Sequence, residues 1–311
     1  MKSLNFSMFK SVLGILLMLM STIGIAQEVS APFVLVLGIA QDGGYPHIGC
    51  QRVCCELSRQ KKGGAFVTSL ALIDPAQKKW WLFEATPNIA EQLEMVQAHT
   101  NHSLNYLPEG IFLSHAHIGH YSGLMFLGKE ALGSKDIPIY VMPRMKKFLS
   151  DNGPWSQLVS LKNIQLYFRE PGNKIFLSPT LSVTPFLVPH RDEYSETVGF
   201  KIETSIKKYL FIPDIDKWEK WNKDLRVEIG LVDVAFLDGS FYSGDELPNR
   251  DIKTIPHPLV TETIRLLEDP KQKNKVYFIH FNHTNPLLWN QESQKEFQES
   301  GFQISIQGAV Y

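Results

Sequence analysis

Three of the chain's ten histidines fall within six positions, in the run His115-Ala116-His117-Ile118-Gly119-His120. Neutral imidazole is the commonest nitrogen ligand of zinc and related ions, and a His-x-His pair at a strand end brings two such ligands together without a helix. The short apolar run Gly110 to Leu113 reads as that strand, and Gly119 and Gly123 let the backbone turn behind it. A lone histidine is most often a surface loop residue. Three so close together mark a metal site.

Further candidates stand at the ends of other apolar runs: His190 after Leu181 to Val188, Asp214 after Lys208 to Ile212, and His280 and His283 after Val276 to Ile279. Asp214 reads locally either as a carboxylate facing a site or as the cap of a helix over Lys217 to Trp221. All three cysteines, Cys50, Cys54 and Cys55, occupy one segment after Gly43-Gly44. An odd count cannot close entirely into disulfides, and the neighbours Cys54 and Cys55 pair poorly with each other. Two readings follow: a structural zinc site with His47 as the candidate fourth ligand, or one disulfide and a free thiol.

These groups need a scaffold of strand ends. Phe33 to Gly38 is an apolar run fit for a central strand, and Phe66 to Ile73 and Trp80 to Glu84 flank a polar hairpin. Thr86-Pro87 opens a helix with an apolar stripe of Ile89, Leu93 and Val96; helical spacing returns from Tyr121 to Leu132, and Pro138 to Met142 is again a strand. Strands crowd the middle of the chain, and Val232 to Leu237 is a further one, before His257 at the start of a helical run from Leu259 to Leu267. Alternation of strands and helices in both halves, without a linker, predicts one α/β domain of two sheets covered by helices.

The 311 residues are 44% hydrophobic, ample for a core, and the formal charge of -1 with no long basic stripe argues against nucleic acid as a partner. Lys2 and Lys10, the apolar Val12 to Ile25 and the small residues Gly24 to Ala26 read as a secretory signal peptide over residues 1–26. Its roughly 14 apolar residues fall short of the roughly 20 that span a bilayer. The expected mature protein is soluble and exported, periplasmic or secreted, with no membrane attachment after cleavage; the sequence leaves its oligomeric state open.

The run from His115 to His120 resembles the His-x-His-x-Asp-His signature of the metallo-β-lactamase superfamily, with His190, Asp214 and a late histidine, His283 or His280, following in that family's order. This likeness covers nearly all of residues 27–311 and implies a single domain folded as a four-layer αββα sandwich with metals at one sheet edge. Within the superfamily, five stretches resemble the pyrroloquinoline quinone biosynthesis protein B family: Leu37 to Pro46 with the cysteines, Val188 to Tyr194, Pro213 to Trp218, Asp238 to Phe241 and Asn282 to Pro286. That family's structural zinc is the implied occupant of the cysteine segment. A more distant likeness, to the phosphodiesterase and ribonuclease Z branch, implies a proton-donating histidine at the place of His257.

Residue by residue, the resemblance implies a first metal on His115, His117 and His190, a second on His120 and His283, and Asp214 as the bridge. Gly119 breaks the pattern, because the family aspartate at that place binds the second metal. The second site is therefore expected to be weak or empty unless His280 or Asp216 compensates, and Gly119→Asp is expected to tighten it. Glu84 stands where the family has an aspartate that orients the histidine loop.

Zinc lowers the pKa of water that it binds from 15.7 to roughly 7. The expected activity is accordingly hydrolysis of an ester, phosphodiester or lactam-like bond in a small molecule, with one or two Zn2+ ions, Asp214 holding the nucleophile and His257 protonating the leaving group. Two rivals stand beside it: an oxidative or cofactor-assembly role with iron or manganese, against which export weighs, and metal binding without catalysis, which Gly119 motivates.

Overall fold

In the computed structural model, which describes residues 31–248 and 250–311, the run Phe33–Gly38 forms strand β1 and sends alternate residues into two cores. Val34 and Val36 face a cluster shared by two sheets, while Leu35 and Leu37 face helices. Burial on both faces explains the unbroken apolar run. The signal peptide read in residues 1–26 lies outside the described residues. Ala31–Tyr311 make one compact unit.

The first sheet runs in the order β1, β2 (Ser69–Asp74), β3 (Lys79–Phe83), β4 (Ile111–Phe112), β5 (Ile137–Val141), β6 (Ile164–Phe168). Its first three strands are antiparallel and the rest join in parallel. The second sheet holds β7 (Ile175–Ser178), β8 (Leu181–Leu187), β9 (Val198–Glu203), β10 (Lys208–Ile212), β11 (Val234–Asp238), β12 (Val276–Ile279) and β13 (Gln303–Ile304) in consecutive order. Here β7 to β10 are antiparallel and β10 to β13 parallel.

Phe83, Phe112, Phe200 and Phe211 fill the space between the sheets, and Phe83 touches both, with ring centroids 5.0 Å from Phe112 and 5.4 Å from Phe200. Helices α1 (Val53–Gln60), α2 (Ile89–His99), α3 (Ile118–Tyr121), α4 (Pro143–Asp151) and α5 (Trp155–Ser160) lie in the first half of the chain. Of these, α2 and α4 cover the outer face of the first sheet through Ile89, Leu93, Met145 and Leu149. The outer face of the second sheet is covered by α6 (Leu225–Gly230), α7 (Val260–Leu266) and, after the short turns α8 (Pro270–Lys273) and α9 (Pro286–Trp289), α10 (Gln291–Glu299). The layers are therefore helix, sheet, sheet, helix, the αββα sandwich of the metallo-β-lactamase fold.

Two local expectations are corrected. The helical spacing from Tyr121 to Leu132 yields only a 3-10 turn over Ser122–Leu127, directly after α3, where Gly123 is packed against Ala85 and Thr86. A Cβ on Gly123 would lie 2.1 Å from Thr86 O, and Gly123 N–H donates to Ala85 O over 2.9 Å. Thr86 does not cap α2 either: that helix begins at Ile89, and Thr86 Oγ1 accepts from Asn88 N–H and donates to Gln92 Oε1.

Because Phe83 is fully buried between the sheets and immediately precedes Glu84, Phe83→Ala should cost about 3–5 kcal/mol. Urea unfolding at unchanged slope measures it; a loss under about 1 kcal/mol would mean that the inter-sheet core collapses around the cavity.

Candidate metal centre

Parallel pairing fixes where the chemistry gathers. Ile212 pairs with Leu237 and Asp238 with Ile279, so β10, β11 and β12 end together and release Asp214, Asp238 and His280 at one edge. The first sheet contributes the residues after β4, whose backbone is tied across by Val198 N–H donating to Ser114 O.

Oδ2 of Asp214 is the hub. It lies 3.2 Å from His190 Nε2, 3.4 Å from His115 Nε2 and 3.8 Å from His117 Nδ1, and 4.0 Å from both His120 Nε2 and His280 Nε2. Ligand atoms 2.0–2.1 Å from a zinc ion at tetrahedral angles are about 3.3–3.4 Å apart, so His115, His117, His190 and Asp214 already have nearly the right spacing. Asp42, His120 and His280 make the adjacent group, with Asp42 Oδ1 3.4 Å from His120 Nε2 and 3.9 Å from His280 Nε2.

Among the described residues, His115 Nε2, both ring nitrogens of His120, His190 Nδ1, His280 Nε2 and Asp42 Oδ1 are buried without a hydrogen-bond partner. Buried polar atoms are ordinarily paired; of these, His115 Nε2, His120 Nε2, His280 Nε2 and Asp42 Oδ1 lie within 4.0 Å of Asp214 Oδ2 or of one another and fit a donor set for one or two cations.

Contacts around the ring orient it. Ser114 Oγ lies 2.8 Å from His115 Nδ1, Glu84 Oε2 lies 3.5 Å from His120 Nδ1 and accepts from Ser114 N–H, and Glu193 Oε2 lies 3.1 Å from His117 Nε2. His257 Nδ1 stands between two carboxylates, 3.1 Å from Asp214 Oδ1 and 2.9 Å from Asp238 Oδ2. Such outer contacts fix ring orientation and ligand basicity.

Burial would raise the carboxyl of Asp214, yet His190, His257 and His280 hold it well below the usual carboxylate range. Burial and the neighbouring His120 push His115 down, toward the neutral form that binds metal. Burial opposes protonation of His120 and His257, but carboxylates win in both: Asp42 and Glu84 raise His120, and Asp214 and Asp238 raise His257 to about 10.

The late histidine needs correction. His283 is not at this centre; His280 is, because its left-handed backbone (φ 65°) turns the chain at the end of β12 and directs the ring inward. His283 instead joins Cys50, Cys54 and Cys55, with Nδ1 3.6 Å from Cys55 Sγ and 3.8 Å from Cys54 Sγ. It takes the corner expected of His47, whose Nδ1 contacts Ile48 O and whose ring packs on His283 at 4.5 Å. The three cysteines are all free thiols, and burial pushes Cys55 up to about 12. Asp216 faces away, accepting from Lys220. Asp214 caps no helix, since only a 3-10 turn at Trp218–Lys220 follows.

Sequence reasoning passed over Asp42 as a member of the cluster and Asp238 as the partner of His257. Each carried the signal that identified Asp214, a carboxylate closely following an apolar run.

Strand-end histidines and aspartates around a shared carboxylate, between two sheets flanked by helices, define a metal-binding protein of the αββα class. Residues 79–281 match the family described as "Beta-lactamase superfamily domain", and the chain belongs to that superfamily. Coenzyme PQQ synthesis protein B of Methylorubrum extorquens (strain PA1) is 25% identical over 303 residues, covering 88% of this chain and 98% of that protein. In fold the chain is similar to zinc-bound PqqB from Methylobacterium extorquens, with TM-score 0.74 and 22% identity over 90% of this chain and 99% of that one. It is likewise similar to a diphosphatase of the PhnP family, with TM-score 0.65 and 19% identity over 91% and 97%.

With no ion bound, protonated His257 stabilises the fold fully below its unfolded value of about 6.5, and this contribution is lost as pH rises through about 10. Metal-free protein should therefore lose stability across that window, and His257→Gln should flatten the loss. Urea titrations at several pH values decide it; parallel profiles for the two proteins would remove His257 from the account.

Proposed function

We propose that the protein is a metal-dependent hydrolase of an ester, phosphodiester or lactam-like bond in a small molecule. The observation that carries this reading is the two adjoining clusters of ligand groups that meet at Asp214 Oδ2. His115, His117 and His190 would hold one ion, Asp42, His120 and His280 a second, and Asp214 would serve both. A cation in such a site supplies Lewis acidity and lowers the pKa of water.

The chain's own groups do the rest. Asp214, fixed by the surrounding histidines, presents its carboxylate toward the nucleophile. Without an ion, Asp214 and Asp238 hold a proton on His257 at neutral pH, and with Nδ1 facing both carboxylates its Nε2–H would be the donor left for a leaving group. Beside Asp42 a cavity of about 1000 Å³ has walls that include Tyr45, Phe66, Pro87, Ile118 and Met125, suited to the apolar body of an organic substrate. The near-neutral charge supports a small-molecule partner over nucleic acid, and the apolar leader supports an exported enzyme, periplasmic or secreted. The cysteine cluster with His283 would hold a structural zinc.

A second reading, an oxidative or cofactor-assembly metalloenzyme, is favoured by the likeness to coenzyme PQQ synthesis protein B over 88% of the chain. Elemental analysis of protein purified without added metal, followed by assays after loading with zinc, manganese or iron, separates the two. Zinc-supported turnover on an ester, phosphodiester and lactam panel, falling about 10²–10⁴-fold in His257→Gln with metal content unchanged, is the expected result. Iron-dependent oxygen consumption without hydrolysis would replace the first reading by the second, and full sites with neither activity would leave a binding protein.

A further inference from the structure

The aspartate that Gly119 lacks has not vanished from the centre. A Cβ built on Gly119 would lie 2.2 Å from Asp42 Oδ1 and 2.8 Å from both Cγ and Cα of Asp42. The space that a side chain at 119 would enter is already filled by a carboxylate from another part of the chain. That carboxylate has the contacts a ligand needs: Oδ1 is 3.4 Å from His120 Nε2 and 3.9 Å from His280 Nε2, and all three atoms lack a hydrogen-bond partner and are buried. His120 and His280 are themselves fully buried.

The backbone of Asp42 is fixed for this task. Gln41 N–H donates to Phe281 O over 2.9 Å, and Gly44 N–H closes a turn onto Gln41 O over 2.8 Å. Asn282 Nδ2–H donates to Gln41 Oε1 over 2.6 Å, so the loop that carries Asp42 is fastened to the segment that carries His280. Burial alone would raise the carboxyl of Asp42, but His120 and His280 hold it well below the usual range, so it enters the site as an anion.

We propose that Asp42 is the carboxylate ligand of the second ion, supplied from the loop after β1 in place of a residue at 119, and that Gly119 is glycine because Asp42 occupies its side-chain space. The second position is then complete, with two imidazoles, its own carboxylate and the shared Asp214. The expectation that Gly119→Asp tightens the second ion is reversed: the new Cβ collides with Asp42, and the two carboxylates compete for one place.

This inference rests on the two-ion reading of the centre, and its test counts ions rather than turnover, so that loss of the hydrolase reading leaves it standing or falling by itself. Full-length wild type, Asp42→Asn, Gly119→Asp and the double variant Asp42→Gly/Gly119→Asp are stripped, reloaded with zinc and titrated against a chelator, with stoichiometry by elemental analysis. Differences from wild type cancel any ion at the cysteine cluster. Asp42→Asn, nearly isosteric, should retain the first ion and hold one fewer at a free zinc level that saturates wild type. Gly119→Asp should also lose the second ion, and the double variant should recover it. Asp42→Asn binding both ions with wild-type affinity would overturn the proposal, as would wild type holding a single ion at the histidine centre. If Gly119→Asp fails to fold, Asp42→Asn, checked by an unchanged melting profile in the metal-free state, still decides.

Discussion

A single carboxylate oxygen surrounded by imidazoles is the constraint on which the centre turns. Asp214 is 2% exposed, and five histidine rings have a nitrogen within 3.2–4.0 Å of its Oδ2. Removing a carboxylate from water costs several kcal/mol unless cations and hydrogen bonds replace the solvent. The fold supplies those neighbours from both sheets, which is why the parallel ends of β10, β11 and β12 and the end of β4 must meet. Register in the second sheet is therefore a functional quantity: a slip of one residue between β11 and β12 would turn His280 out of the cluster.

The imidazoles are not equivalent, and the difference comes from which carboxylates they face. His115, packed among other rings, is driven toward neutrality, whereas His120 and His257 sit against carboxylate pairs and retain protons. His257 differs again: its Nδ1 is committed to Asp214 and Asp238, and Ser240 Oγ also lies 3.2 Å away.

Much of this was legible in the sequence because strand ends announce themselves. Apolar runs ending in His115, His190 and Asp214 placed the first group, and the unbroken apolar run of β1 with the alternation of strands and helices pointed to two sheets under helices. What escaped was decided by backbone angle and by contact between remote segments. Choosing between His280 and His283 depends on a positive φ at His280, which nothing in the string His280-Phe281-Asn282-His283 discloses. The fourth member of the cysteine cluster lies 228 positions from Cys55, so the nearby His47 drew the assignment instead. Asp42 sits in a glycine loop that reads as an ordinary turn until the space above Gly119 is known.

Those errors share one physical origin, which is that two segments serve two clusters at once. Residues 280–283 give His280 to the histidine centre and His283 to the cysteines; residues 42–55 give Asp42 to the one and Cys50, Cys54 and Cys55 to the other. Backbone bonds from Gln41 N–H to Phe281 O and from Phe281 N–H to Ile39 O join the segments between the clusters. Contacts of His283 with Cys54 and Cys55 tie the same two segments again at their far end. The separation of Asp42 from His280 is thereby fixed from both sides, while His115, His117 and His190 depend on β4 and the β8–β9 connection and are untouched by that clamp. The cysteine cluster is thus tied through the chain to Asp42 and His280 more directly than to His115, His117 and His190.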